Sequence, residues 1–240
     1  MTETIAVVTG GTRGIGRAIV EELAGDGHFV FATCRTARRS PRDLESAFPG
    51  RVRATLVDAS NWTAVEKFRD EVLERGTPFA LINSAGMASD ALMLQSSIDV
   101  FRSGFEANFY STLNNCMAFM PAMTRVRKGS IVNLGSVAST KAKLGNTSYG
   151  CSKAAIERLT LGLALETARF GLRVNCVSPG FVDTDMFDEF AKDDRQSILK
   201  AIPARRVLAP REVARFIIDL VNSRASTTGS IFRIGNGENI

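Results

Sequence analysis

An α/β protein with a doubly wound, parallel, seven-stranded sheet and helices on both faces is what this sequence predicts. Three observations lead there. Short apolar runs rich in β-branched residues alternate with longer stretches of helical periodicity along the whole chain. A glycine-rich segment joins the first apolar run to the first helical stretch. The chain has 240 residues, 45% of them hydrophobic, which suits one domain with a sizeable core.

The first strand, 4–9, is Thr4-Ile5-Ala6-Val7-Val8-Thr9, apolar enough to be buried on both faces. It runs into Gly10-Gly11-Thr12-Arg13-Gly14-Ile15-Gly16. Ala18, Ile19, Leu23 and Ala24 then recur at helical spacing and predict a helix over 14–25. Strand, glycine loop and helix together form the context of a dinucleotide-binding turn. Glycines permit the tight turn and a close approach of backbone to pyrophosphate. The helix N-terminus offers N–H donors and the positive end of its dipole. The sheet is therefore expected to be Rossmann-type.

Strand 29–34 follows. An NAD-preferring site usually places an acid about 20 residues beyond the glycines, on the ribose 2′-hydroxyl. Here the position holds Cys34-Arg35-Thr36, and the first acid after it is Asp43. A guanidinium fork binds a 2′-phosphate that a carboxylate would repel, so Arg35 and Arg13 argue for NADP(H). The competing reading of Arg35 is a solvated loop residue.

Helix 41–48, strand 52–57, helix 61–75 and strand 79–83 continue the alternation. A long helix is expected over 97–125, then strand 130–134, helix 149–169 and strand 172–177. Helices 186–200 and 210–222 and strand 230–234 complete it. Repeats, low-complexity tracts and linkers are absent, so 1–240 reads as one domain, with 186–206 as a mobile lid over the substrate. The glycine loop, Asp58, Asn83, Ser136 and Pro179 all follow strands. They therefore fall on the carboxyl edge, where such sheets bind ligands.

The chemistry concentrates in Ser136, Tyr149 and Lys153. Four residues apart on a helix, Tyr149 and Lys153 share a face. A free tyrosine, with a pKa of about 10, is a poor acid at neutral pH. A neighbouring ammonium favours the phenolate and tunes it as a proton donor. Ser136, on a loop after a strand, can hold a carbonyl oxygen beside it. A Tyr-x-x-x-Lys alone is weak evidence; the nucleotide end of the chain strengthens it.

With these pieces in order, the chain resembles the short-chain dehydrogenase/reductase family over nearly its whole length. Thr9-Gly10-x-x-x-Gly14-x-Gly16 is similar to that family's cofactor loop, and Asn83-Ser84-Ala85-Gly86 to its Asn-Asn-Ala-Gly, with Ser84 as a departure. The resemblance implies an altered hydrogen bond at Ser84. It implies a catalytic tetrad of Asn108, Ser136, Tyr149 and Lys153. Asn108 would position a water that refills the proton through Lys153. It also implies cofactor contacts from Gly10, Thr12, Arg13, Gly14, Ile15, Gly16, Arg35, Asp58, Ala59, Asn83, Ala85 and Gly86. Tyr149, Lys153, Pro179, Gly180, Val182 and Thr184 complete that set.

A closer resemblance is to the β-ketoacyl-acyl-carrier-protein reductases of the family. It rests on Ser89-Asp90-Ala91-Leu92-Met93-Leu94, on Pro179-Gly180-Phe181-Val182-Asp183-Thr184-Asp185-Met186 and on the stretch 198–206. It implies NADPH-dependent reduction of a 3-oxoacyl thioester, in fatty-acid or polyketide and polyene synthesis. Reduction of another ketone (an acyl-CoA, an aromatic polyketide, a sugar) and a silent NADP-binding scaffold are the alternatives. Phe181, Phe187 and Phe190 suggest an apolar acyl pocket, or ordinary packing of lid on core. Gly235-Asn236-Gly237-Glu238 departs from the family's usual ending, which often lies in a subunit interface.

The net charge is +5. No helix-turn-helix, zinc finger or aromatic-basic platform accompanies it, so nucleic acid is not an expected partner. The resemblance implies an acidic acyl carrier protein as partner, met by a basic patch of Arg125, Arg127, Lys128 and Arg169 as a rim near the mouth of the site. The alternative is a solvated basic loop. Surplus apolar residues on 97–125 and 149–169 suggest a further interface, and the resemblance implies a homotetramer. Met1-Thr2-Glu3-Thr4 enters the first strand at once, no apolar run is long enough to span a membrane, and the four cysteines form no Cys-x-x-Cys. A cytoplasmic protein with reduced thiols is expected. One histidine and no clustered thiols predict no metal.

Overall fold

The computed structural model describes residues 4–36, 41–88, 91–192, 195–223 and 227–237. Met1, Thr2, Glu3, Ser89, Asp90 and Glu238, on which some expectations rested, lie outside them, as do two residues of the lid.

Seven parallel strands form one sheet in the order β3-β2-β1-β4-β5-β6-β7. They are β1 (Ile5–Thr9), β2 (Phe29–Cys34), β3 (Val52–Leu56), β4 (Ala80–Asn83), β5 (Gly129–Leu134), β6 (Leu172–Pro179) and β7 (Ile231–Ile234). Every predicted strand is present within two residues at either end. The order reverses between β1 and β4, which opens a crevice at their carboxyl ends.

Successive residues of β1 point to opposite faces. Ala6 and Val8 pack with Ile19 and Leu23 of α1 (Gly14–Gly25) and with Ile217 of α9 (Pro210–Asn222). Ile5 and Val7 pack with Phe68 of α3 (Trp62–Arg75) and Phe119 of α5 (Ser111–Arg125). Helices therefore cover both faces, as burial of both sides of a parallel sheet requires. Caps mark several starts. Asn61 accepts from the Ala64 amide at 3.0 Å ahead of α3, and the Ser97 hydroxyl accepts from the Val100 amide ahead of α4 (Ile98–Phe105).

Two helices differ from expectation. The single helix expected over 97–125 is α4, a π-helical turn at Glu106–Tyr110, and then α5. The wider turn inserts one residue into the helical register without breaking the rod, so hydrophobic periodicity reads straight through it. The helix expected over 186–200 is two helices, α7 (Asp185–Phe190) and α8 (Arg195–Ala201). They close over a small apolar cluster of Phe187, Ala191, Ile198 and Ile202. Between these blocks, α2 is Pro41–Ala47, and α6 is Thr147–Thr167.

Phe119 is wholly buried and meets the Phe68 ring edge-on, with centroids 6.0 Å apart. Phe119→Ala should lower stability by about 3–5 kcal/mol through the cavity it leaves, measured by urea unfolding. A loss under 1 kcal/mol would mean that α5 does not carry this face of the core.

Candidate functional site

The glycine loop is held against the loop that follows β4. The Thr9 hydroxyl accepts from the amides of Ser84, at 3.1 Å, and Ala85, at 3.0 Å. Gly10 has φ +66° and lies so near that a Cβ would stand 2.9 Å from the Ala85 Cα. A Cβ on Gly16 would stand 2.2 Å from the Gly10 carbonyl oxygen. Only glycine fits either place. Arg13 precedes α1 in extended conformation, with no side-chain cap on the helix and no acid in its first turn. The amides at the start of α1 thus open onto the crevice with no acid in the helix's own first turn.

A cleft of about 200 Å³ runs from this helix end across the tips of β2 and β3. Gly10, Thr12, Arg13, Gly14, Ile15, Gly16, Arg35, Asp58, Ala59, Ala85, Gly86 and Thr184 all line it. The Asp58 carboxylate accepts from the Ser60 amide at 3.0 Å and hydroxyl at 2.7 Å, which fixes its direction at the rim.

Asn83 stands apart from the residues expected beside it. It is 1% exposed; its amide donates to Asn133 Oδ1 at 2.9 Å and to Cys116 Sγ at 3.3 Å. Asn133 in turn donates to the Thr160 hydroxyl at 2.9 Å. The side chain of Asn83 braces β4, β5 and α6 beneath the cleft, and Ser84, Ala85 and Gly86 form the lining.

The cleft opens into a second cavity of about 420 Å³, whose walls are largely apolar. Ser136, Tyr149, Lys153, Pro179, Gly180 and Val182 meet there. The Ser136 hydroxyl accepts from the Ala138 amide at 3.1 Å, starting a tight turn over Val137–Ser139. Phe181, Phe187, Ile198 and Ile202 close the opposite side. The same rings pack with the lid, Phe181 and Phe187 lying 5.6 Å apart, so they line the apolar cavity and pack the lid at once. The side chain of Phe190 is outside the described part.

Lys153 is 5% exposed, with its Nζ 5.7 Å from the centroid of the Tyr149 ring. It donates to the Leu134 carbonyl oxygen at 2.8 Å. Burial pushes its pKa down from the ordinary 10.5 to about 8.

Asn108 lies inside the π-helical turn and is wholly buried. Its Oδ1 accepts from the Met87 amide at 2.8 Å. Its Nδ2 donates to the Met87 carbonyl oxygen at 3.1 Å and to the Ser152 hydroxyl at 3.0 Å. The Ser152 hydroxyl in turn donates to the Tyr149 carbonyl oxygen at 2.7 Å. Asn108 is thus a brace between the loop after β4 and the first turns of α6. Gly86 fits between them: a Cβ there would lie 2.8 Å from Asn108 Oδ1 and 3.6 Å from Lys153 Nζ.

The basic patch is elsewhere. Arg125, Arg127 and Lys128 precede β5, and Arg169 precedes β6, so all four sit at the amino edge of the sheet. A strand of this length separates them from the cavity by roughly 20 Å. Within one chain they are not at the mouth of the site, as the sequence led us to expect, because residues that precede a parallel strand lie at the end away from its ligands.

A family profile described as short chain dehydrogenase matches residues 4–195. The chain belongs to the short-chain dehydrogenase family. This short-chain dehydrogenase is an oxidoreductase acting on a CH–OH/C=O pair, and its family takes a nicotinamide cofactor. The 3-oxoacyl-acyl-carrier-protein reductase FabG of Salmonella typhimurium is 32% identical over 235 residues, covering 97% of this chain and 96% of the relative. The protein of the same name from Pseudomonas aeruginosa is 31% identical over 237 residues, with the same coverage. Among solved structures, a Brucella melitensis 16M protein described as ribose-5-phosphate isomerase has a TM-score of 0.92 at 30% identity, over 100% of this chain and 94% of its own. A Cj0485 dehydrogenase has a TM-score of 0.91 at 24% identity, over 99% and 95%, which is a likeness of fold.

A nicotinamide dinucleotide fits the donor set of this short-chain dehydrogenase. The uncapped helix end and the two glycines without room for a Cβ suit a pyrophosphate, and the cleft from there leads to the cavity of Tyr149. Sequence reasoning missed Ser152 and the bracing role of Asn108. A serine one residue before Lys153 was visible, but its partner sits in a π-turn that periodicity does not reveal.

The depressed pKa of Lys153 has a signature in stability. Below pH 8 the side chain is charged in the folded and unfolded states, and the folded state bears the cost of burying that charge. Between about pH 8 and 10.5 the folded lysine has lost its proton and the unfolded one keeps it, so stability rises with pH at this position; above 10.5 the change is complete. Urea titrations from pH 7 to 10.5 should show the wild type gaining on Lys153→Met as pH rises. Parallel curves would mean that Lys153 keeps an ordinary pKa.

Proposed function

We propose that the protein is an NADPH-dependent reductase of 3-oxoacyl thioesters, forming the 3-hydroxyacyl thioester on an acyl carrier protein, as in fatty-acid synthesis. The observation that carries this reading is the apolar cavity of about 420 Å³ in which Ser136, Tyr149 and Lys153 meet the Pro179-Gly180 turn. Its apolar walls suit an acyl chain, and the FabG relatives act, by their name, on a carrier-bound 3-oxoacyl group. The preference for NADPH is supported by Arg13 and Arg35 in the cleft and by a sequence without an acid from Cys34 to Pro41. On this reading 1–240 is one domain with 186–206 as its lid, and the chain assembles as a homotetramer.

The amides at the start of α1 would hold the pyrophosphate, Asp58 the adenine end, and Lys153 the nicotinamide ribose. When bound, the reduced nicotinamide supplies the hydride that goes to the keto carbon. Ser136 and Tyr149 donate hydrogen bonds to the keto oxygen, where negative charge develops. Tyr149 then gives its hydroxyl proton to that oxygen, and solvent restores it. Lys153, charged below pH 8, stabilises the phenolate left behind. Asn108 holds the start of α6 through Ser152, so that the tyrosine and lysine keep their places.

The distant basic patch favours a second reading, a reductase that takes its ketone on coenzyme A or without a carrier. In an assembly, a neighbouring copy would have to bring the patch to the site for carrier docking to use it.

Purified protein should oxidise NADPH with acetoacetyl-carrier protein faster than with acetoacetyl-CoA. A preference for CoA would select the second reading, and no turnover on either, with NADPH bound, would leave a scaffold. Tyr149→Phe should bind NADPH within about twofold of wild type and lose turnover by at least ~100-fold; retention of a tenth of the activity would remove Tyr149 as the acid. Arg35→Asp should cut kcat/KM for NADPH by on the order of 100-fold and raise that for NADH. An unchanged ratio would show that Arg35 does not read the phosphate.

A further inference from the structure

One buried charge near the site has no part in the mechanism above. Glu157 lies one turn beyond Lys153 and two beyond Tyr149 on the same face of α6, and it is 7% exposed. Three groups converge on its carboxylate. Ser139 donates to Oε1 at 2.6 Å, Ser178 donates to the same oxygen at 2.7 Å, and Arg233 donates to Oε2 at 3.0 Å.

The origin of each donor matters. Ser139 ends the tight turn that Ser136 begins, and its amide donates back to the Ser136 carbonyl oxygen at 3.0 Å. Ser178 precedes Pro179 on β6, packed so close under Gly135 that a Cβ there would meet its hydroxyl at 2.3 Å. Arg233 is on β7, whose Ile234 carbonyl oxygen takes the Gly180 amide at 2.8 Å. A single carboxylate therefore links α6, which carries Tyr149 and Lys153, to the Ser136 turn, to the Pro179-Gly180 turn and to the last strand.

Stability alone is a poor reason for such a cluster. Glu157 has left water while Arg233 stays about a third exposed, so the pair returns little of the cost of burying the carboxylate. What it supplies is direction: each hydrogen bond fixes a loop at one distance and angle. We infer that Glu157 is a positioning residue, which sets where Ser136 and the Pro179-Gly180 turn stand relative to Tyr149. This rests on the reductase reading for its kinetic consequence, but not for its structural one. A hydroxyl misplaced by about 1 Å can cost on the order of 100-fold in rate, so partial loosening should be visible in kcat.

Ser139→Ala cuts only the tether of the Ser136 turn, and Glu157→Gln weakens the hub while keeping its shape. Hydrogen exchange should quicken at the 135–140 amides in Ser139→Ala, and at both 135–140 and 178–182 in Glu157→Gln. Exchange in α1 should stay as in wild type. In the same proteins, Ser139→Ala should lower kcat about tenfold with KM for NADPH within twofold, and Ser139→Thr, which restores the hydroxyl, should recover it. Unaltered exchange at 135–140 overturns the inference, as does a wild-type kcat in Ser139→Ala beside an inactive Tyr149→Phe. If wild type turns over no ketone, the reductase reading fails and the exchange pattern alone decides the role of Glu157.

Discussion

The close approach of two loops, one after β1 and one after β4, is the constraint on which the site depends. These strands are neighbours at the point where the sheet reverses its order, so their loops diverge above and leave a crevice. The Thr9 hydroxyl joins them, and the missing Cβ of Gly10 lets them touch. If they stood further apart, the start of α1 would no longer face the cavity of Tyr149. Everything chemical in the molecule is arranged around this seam.

Beneath the seam the protein uses polar side chains where an apolar core would serve stability equally well. Asn83, Asn133 and Thr160 form a buried chain across β4, β5 and α6, and Asn108 with Ser152 forms another above it. Hydrogen bonds fix orientation in a way that packing of aliphatic groups does not. The strands are therefore aligned by shape on their outer faces and by direction near the site. Lys153 extends the same logic to charge. Its burial costs the fold something and pulls its pKa below that of an ordinary lysine.

Much of this was legible in the residues. The strands announce themselves as apolar β-branched runs, and the crevice follows from the glycine loop and the parallel order. Ser136, Tyr149 and Lys153, singled out by residue type and spacing, do meet in one cavity. What stayed hidden depends on non-local contacts. That Asn83 faces into the sheet, not the cleft, is decided by Asn133 and Cys116, far away in sequence. The place of Arg125, Arg127, Lys128 and Arg169 depends on which end of a strand precedes it, and charge content alone does not report that. The π-turn and the turn at Ala191 and Lys192 that ends α7 are local, but neither interrupts the hydrophobic pattern enough to be seen.

The π-turn separates two requirements that an unbroken α-helix would bind together. In a regular helix each added residue rotates the face by about 100°, so the side on which Asn108 looks would dictate where Phe119 and Met123 point. One extra residue at Glu106–Tyr110 resets that phase. Asn108 can therefore face Met87 and Ser152 while Phe119 and Met123, further along the same rod, are buried in the core. One irregular turn thus sets the phase between the site and the core without breaking the rod.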